Sequence, residues 1–337
     1  MFYKTKILIV KMVEKKVSGK GEGDFDLVVV GAGVAGLAAG MYGARLGLKT
    51  LILGSSHGTE LPVGGVITTT DIVENYPGFI KLTGTELADK LREHAESYDL
   101  VTISEEKVAS VDGKKGDFKV KTNKGEHKGK TILFAMGTKW RELEVPGGKE
   151  FKTKGVAYCA LCDAPLYKNK TVAVVGGSDS AAKDALLLTK HAKKVYIIYR
   201  GEKIHPEPIN LKRIEQNEKI EVINGTSVSE VKGEQFVKSV VLDKVYKGKK
   251  ELALDGVFVA IGHIVLSDLA KPLGVKLNKK GEIIIDHKTS TTNVPGVFAA
   301  GDVADKPFKQ AITGVAEGCT AAYSAYECIT EEKCGNY

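Results

Sequence analysis

Cys159-Ala160-Leu161-Cys162-Asp163 sets two thiols at a spacing that closes a disulfide across one turn or opens into a dithiol. Such a turn lowers the pKa of one thiol enough to leave a thiolate near neutral pH. Asp163 supplies a carboxylate able to give or take the proton that each opening or closing requires. A zinc site would need two more ligands, and neither a second CxxC nor a nearby Cys/His pair offers them. No metal is expected.

Two similar stretches must position this pair. Phe25-Asp26-Leu27-Val28-Val29-Val30 reads as a buried parallel strand and runs straight into Gly31-Ala32-Gly33-Val34-Ala35-Gly36, a dinucleotide fingerprint. A small-residue helix is expected over 34–47, its N-terminus facing a pyrophosphate, and a strand over 49–53 closes the unit. An acid that would hold the ribose is expected about 20 residues after the fingerprint. The strand instead ends Leu53-Gly54-Ser55-Ser56, and the nearest acid is Glu60, so the ribose contact stays open. Gly64-Gly65 and the hydroxyl- and amide-rich run from Thr68 to Gly78 read either as a capped surface loop or as a wall of a flavin site. A helix over 83–98, capped by Thr83 or Thr85, and a strand over 131–135 follow. Pro146-Gly147-Gly148 marks a candidate boundary.

The pattern then repeats. Thr171 to Val175 is a strand, Gly176-Gly177-Ser178-Asp179-Ser180-Ala181 a degenerate phosphate turn, 180–190 a helix and 194–199 the next strand. Gly176 stands 145 residues after Gly31, which marks an internal duplication. Two nucleotide units with a dithiol between them describe an electron path from nicotinamide to flavin to disulfide. Farther on, Asp302 follows a strand at a glycine turn and is placed to accept from a cofactor's hydroxyls. A helix from about Lys309 points its positive end at an electron-rich ring.

The chain has 337 residues, long enough for two domains. Its formal charge is +7, but the lysines are scattered, which speaks for a solvated face and against a nucleic-acid surface. No run approaches the roughly 18–20 apolar residues of a membrane span. Five cysteines without a secretory signal point to the reducing cytoplasm. Only three glutamines among many lysines and glutamates tilt the source toward a thermophile. His191, His205 and His263 are scattered and read as surface or loop residues, and Cys319 as a small packed hydrophobe. Cys328 and Cys334 read either as stray thiols in a polar tail or as an auxiliary shuttle dithiol.

The ordered set of GxGxxG, Glu74-Asn75-Tyr76-Pro77-Gly78, Cys159-x-x-Cys162-Asp163, the Gly-Gly-x-Asp-Ser-Ala turn, Gly301-Asp302 and Gln310-Ala311 resembles low-molecular-weight thioredoxin reductase, from about Asp24 to Ala325. The resemblance implies an α/β fold with two Rossmann-like dinucleotide-binding domains of the three-layer ββα type, the second inserted into the first. An extension covers 1–24, the FAD-binding domain 25–138 and 263–330, the NAD(P)H-binding domain 139–262, and a tail 331–337. It implies a homodimer in which Cys162 takes electrons from the flavin, Cys159 attacks the disulfide of a thioredoxin or glutaredoxin-like partner, and Asp163 handles protons. Gly31, Gly33, Ala35, Gly36, Gly65, Asn75, Val108, Gly137, Asp302, Gln310 and Ala311 are the implied FAD contacts. Gly176, Gly177, Ser178, Asp179, Ser180, Ala181, Tyr199, Arg200, Lys203 and Gly262 are the implied contacts of NADPH or NADH. The family swings its nucleotide domain, and hinges near 138–146 and 262–264 suit that motion.

The departures bear on the donor and the partner. The family's NADPH readers carry His-Arg-Arg where this chain has Tyr199-Arg200-Gly201, so one guanidinium of the 2′-phosphate clamp is missing. Ser178 replaces a glycine, Val265 a proline, and Ala164-Pro165 a Gly-aromatic pair at the partner-facing side. Two alternatives follow: a reductase of the same build fed by another donor, and a non-enzymatic FAD-binding redox sensor, which would have no need of the second nucleotide unit.

Overall fold

A computed structural model describes residues 24–54, 61–331 and 334. Ser55, Ser56 and Glu60, on which the open ribose contact turned, lie outside the described residues, as do residues 1–23. The chain runs β1 (Phe25–Val30), α1 (Val34–Arg45), β2 (Thr50–Leu53), α2 (Gly84–Glu96), β3 (Val101–Ser104), β4 (Val108–Lys114), β5 (Asp117–Thr122), β6 (Glu126–Phe134) and β7 (Thr138–Trp140). Then come β8 (Val156–Ala157), α3 (Ala160–Asp163), β9 (Thr171–Val175), α4 (Asp179–Leu188), β10 (Lys194–Tyr199), α5 (Pro208–Glu215) and β11 (Ile220–Asn224). The remainder is β12 (Val228–Gly233), β13 (Val237–Tyr246), β14 (Lys249–Ala253), β15 (Gly256–Val259), β16 (His263–Val265), β17 (Val297–Ala299) and α6 (Ala311–Thr330).

These elements fall into two compact units, one made of the chain up to Lys139 together with the chain from Val265 on, the other of Trp140–Ile264. In the first unit the strand order is β3-β2-β1-β6-β5-β4, with β17 also on β6. The strands β3, β2, β1, β6 and β17 pair in parallel, while β4, β5 and the start of β6 form an antiparallel meander. In the second unit β11-β10-β9-β15-β8 is a parallel sheet, and β12-β13-β14 is a separate antiparallel one. The α/β class read from the sequence is the observed one.

The central strands are continuously apolar because both faces of each sheet are covered. On β1, Leu27 and Val29 pack with Leu37, Ala39 and Phe298 on one side, while Val28 and Val30 pack with Phe118, Ile132 and Phe134 on the other. On β9, Val172 and Val174 meet Ala181, Ala185 and Phe258, and Ala173 and Val175 meet Val240 and Val257. The same division of faces in both units is the packing signature of the duplication.

Element ends obey local capping chemistry. Thr83, not Thr85, caps α2: its hydroxyl accepts from Glu86 N, and the Glu86 side chain accepts from Thr83 N. α1 stops at Arg45 rather than Gly47, since Gly47 turns left-handed at φ 82°. Pro146-Gly147-Gly148 is not a break between units. It lies inside the second, where Val231 N donates to Pro146 O at 2.9 Å.

Candidate active site

Cys159 and Cys162 are joined as a disulfide with their Cα atoms 5.3 Å apart. Cys159 occupies the N-cap of α3, and its Sγ accepts from Cys162 N at 3.2 Å. A backbone N–H aimed at that sulfur favours a thiolate there once the disulfide opens. Cys159 is half-buried and Cys162 exposed. Asp163 is held next to the pair by its N–H to Cys159 O, 3.2 Å, and burial pushes its carboxyl up from the ordinary value. That shift keeps it readier to carry a proton.

The turn is anchored from behind. Ala160, Ala164 and Tyr167 are buried in the core that includes Ala181 and Ala182 at the start of α4, and the Tyr167 ring meets Phe258 edge-on at 5.1 Å. Leu166, by contrast, is 70% exposed beside the dithiol.

In the first unit, Gly31 has φ 118°, and a Cβ there would run into the Ala135 carbonyl at the end of β6. The chain turns from β1 into α1 under that constraint. Gly33 caps α1 with no side-chain bond, and its first turn carries no acid, so its N–H groups are open to an anion. Gly64 bridges Gly33 and donates its N–H to Ala32 O at 2.8 Å, which sets Gly65 against the fingerprint. A Cβ on Gly301 would lie 3.1 Å from the Ala35 Cβ, placing the Gly301–Val303 turn and Asp302 beside the start of α1. Asn75 Nδ2 donates to Gln310 Oε1 at 3.1 Å, and Gln310 is the N-cap of α6, whose first residue is Ala311. The structure thus gathers Gly31, Gly33, Ala35, Gly36, Gly65 and Asp302, and separately pairs Asn75 with Gln310. Val108 points into the core, and Gly137, at φ 63°, accepts from Leu266 N.

The second turn repeats the geometry with different furnishings. Gly176, φ 152°, has the Ala260 carbonyl where Gly31 has that of Ala135. Ser178 caps α4 without a side-chain bond, Ser180 is exposed, and Ala181 is buried in the core. Asp179, unlike anything at the start of α1, puts a carboxylate in the first turn of its helix. It pairs with Lys183 at 2.8 Å and accepts from Glu207 N and Asn210 Nδ2 at 3.0 and 2.8 Å, tying the start of α5 to the turn. Burial would raise its pKa, but the bonds from Asn210, Lys183 and Glu207 prevail and lower it. The Tyr199 ring lies across Gly177 and Gly201 and meets the His205 ring at 5.5 Å. Arg200 and Lys203 are exposed next to it, and Gly262, φ 99°, accepts from Arg141 N.

Two ion pairs escaped the sequence reading. Lys306 and Glu317 form a buried ion pair beside the Gly301 turn, and Lys309 Nζ donates to Asp302 O at 2.6 Å and pairs with Glu282 at 2.7 Å. The Gly301-Asp302 motif marked the place, but not the lysines that follow it. The reading of Cys328 and Cys334 as stray thiols is corrected. They are joined to each other, and Cys328 is 1% exposed on the inner face of α6. Cys334, the other sulfur of the pair, is half-buried. Among the described residues no group of three or more His, Cys, Asp or Glu is placed to hold a metal, and no helix is long and apolar enough to cross a membrane.

Comparison with known proteins agrees with this geometry. The family model of pyridine nucleotide-disulphide oxidoreductases matches residues 25–318. The thioredoxin reductase of Mycolicibacterium smegmatis is 36% identical over 312 residues, spanning 91% of this chain and 97% of that protein. The crystal structure of Lactococcus lactis thioredoxin reductase matches with a TM-score of 0.85 at 36% identity, covering 91% of this chain and 99% of that one. That of T. acidophilum thioredoxin reductase gives 0.84 at 36% identity, covering 90% and 98%. Similarity of this extent, in sequence and in structure, assigns the chain to the pyridine nucleotide-disulphide oxidoreductases and, within them, to the thioredoxin reductases.

Proposed function

We propose that this chain is a thioredoxin-disulfide reductase that takes a hydride from NADPH or NADH and delivers two electrons, through FAD and Cys159–Cys162, to the disulfide of a thioredoxin or glutaredoxin-like protein. The observation that carries this is the closed Cys159–Cys162 pair with a backbone N–H aimed at Cys159 Sγ. Bound FAD would supply the chemistry that links hydride from the nicotinamide to two-electron reduction of the disulfide. The uncapped, acid-free start of α1, with Gly65 and Asp302 beside it, fits its pyrophosphate and ribityl hydroxyls. Asn75, Val108, Gly137, Gln310 and Ala311 complete the expected contacts. The second turn, Gly176 to Ala181, with Tyr199, Arg200, Lys203 and Gly262, takes the nicotinamide dinucleotide.

The thiol steps belong to the chain's own residues. Opening the disulfide leaves Cys159 as the stabilised thiolate and Cys162 as the thiol. Cys159 Sγ attacks one sulfur of the partner disulfide, forming a mixed disulfide, and the displaced partner sulfur takes a proton from Asp163. Cys162 Sγ, its proton returned to Asp163, then attacks Cys159 Sγ, which re-forms the internal disulfide and frees the partner's second thiolate. Exposed Leu166, next to the pair, offers an apolar footing for the partner. The resemblance further gives a homodimer in the cytoplasm.

Discrimination between the two nucleotides is weak in this reading. Arg200 and Lys203 are both exposed, and an exposed charge pair contributes up to about 1 kcal/mol. Two such contacts limit a preference for NADPH to about thirtyfold. The same loop is what favours a reductase fed by a different donor as the second reading. Cys162→Ser tests the assignment: the variant keeps a bound flavin reducible by dithionite and loses disulfide reductase activity, and full activity in it would refute the scheme.

A further inference from the structure

Lys306 is a lysine with almost no access to water: its side chain is 5% exposed, and its Nζ lies 2.8 Å from Glu317 Oε2, itself 18% exposed. A buried pair of this kind is weak evidence for stability, since desolvation offsets most of the attraction. Its partners suggest another role. The same Glu317 Oε2 accepts from Gly301 N at 2.8 Å, and Lys306 Nζ donates to Thr313 Oγ1 at 3.2 Å. Thr313 Oγ1 in turn accepts from Gln310 N at 3.2 Å. One line of hydrogen bonds therefore runs from the Gly301-Asp302 turn, through a carboxylate and an ammonium, to the N-cap of α6. The proposed function gives the first of these to the ribityl chain of FAD, and the second carries Gln310 and Ala311, two of the expected FAD contacts whose helix end the sequence aims at the ring.

We propose that Lys306 and Glu317 are positioning residues for the flavin, and that their mutual neutralisation sets its reduction potential. The inference rests on the FAD reading of this unit. The pair fixes the Gly301 turn against the start of α6, and as a balanced couple it adds no net charge beside a ring that becomes more negative on reduction. Removing either partner leaves the other's charge in a poorly solvated place, and the two removals differ in sign.

The test is the flavin midpoint potential of the holoprotein, read from its absorbance in a dye-coupled anaerobic titration, with FAD dissociation measured alongside. Lys306→Met leaves the Glu317 carboxylate unbalanced. The expected result is a fall of about tenfold in the reduced-to-oxidised ratio, about 30 mV for a two-electron couple, and faster loss of FAD. Glu317→Gln can still accept from Gly301 N through its amide oxygen but leaves Lys306 unbalanced, and the potential rises by a similar factor. Lys306→Arg and the Lys306→Met/Glu317→Gln double variant both stay within about threefold of the wild type. Shifts of the same sign in both single variants, or none in either, overturn the inference while leaving FAD in place. If Lys306→Met does not fold, a Glu317→Gln potential that fails to rise is enough to reject it. A wild-type chain that takes up no FAD removes the functional reading, and this inference with it.

Discussion

Cys159 accepts a backbone N–H that Cys162 does not, and the proposed roles of nucleophile and proton carrier rest on that bond and on the carboxyl of Asp163, pushed up by burial. The sequence showed which residue types stand there. It did not show which sulfur the helix end faces, because that depends on the φ and ψ of Cys159. A second carboxylate is tuned the other way. Glu106, 7% exposed, accepts from Thr122 Oγ1 and Ser104 Oγ and lies 2.9 Å from His127 Nε2. Burial alone would raise its pKa, but the bonds from Thr122, Ser104 and His127 outweigh that and lower it from 4.5 to about 2. A carboxyl depressed on folding contributes stability above its unfolded pKa and loses it as pH falls toward the folded one. Unfolding followed between pH 5 and pH 2 should show the wild type losing about 3 kcal/mol that Glu106→Gln does not lose. Equal slopes in the two proteins would remove this role. No pattern pointed to Glu106, since its partners come from three different strands or their ends.

At the scale of elements, the end of β10 explains the missing arginine. A side chain at Gly201 would begin 2.5–2.8 Å from the Tyr199 ring, so Tyr199 and Gly201 are coupled choices. Gly201→Arg alone should therefore perturb the loop without raising the preference for NADPH. Tyr199→His with Gly201→Arg should raise the NADPH/NADH ratio of kcat/KM by about tenfold or more, as a second guanidinium joins the 2′-phosphate. A single variant that matches the double one would contradict the coupling. β1, β9 and β10 were legible to the residue because apolar runs covered on both faces start and stop sharply. Helix ends slipped by one or two residues where caps decide. Pro146-Gly147 looked like a linker, but a turn inside a unit uses the same residues as a turn between units. Cys328 was legible and overlooked: Ala321, Ala325 and Cys328 repeat at the spacing of one helix face, and the charged residues after Thr330 disguised it as tail.

The whole molecule uses one device twice. Gly31 and Gly176 make the same turn beneath equivalent carbonyls, those of Ala135 and Ala260, and the sequence displayed that repeat because it lies in local motifs. The difference between the copies was less visible. α1 begins without an acid, whereas α4 begins with Asp179 bound to the start of α5, a contact that spans 28 residues to Glu207 and 31 to Asn210. The Lys306–Glu317 pair was hidden for the same reason, being a contact outside any helical spacing. Two disulfides also coexist in one reductase, one at an accessible turn and one with a sulfur buried in the core of the first unit. Accessibility predicts that only the first turns over. The most direct test of the electron path is anaerobic mixing of the yellow holoprotein with NADPH and, separately, NADH, followed by thiol trapping and peptide mapping. The expected result is flavin bleaching by at least one nucleotide, with Cys159 and Cys162 labelled and Cys328 and Cys334 still paired. Bleaching by neither, in a protein whose flavin dithionite still reduces, or bleaching that leaves Cys159 and Cys162 closed, would contradict it.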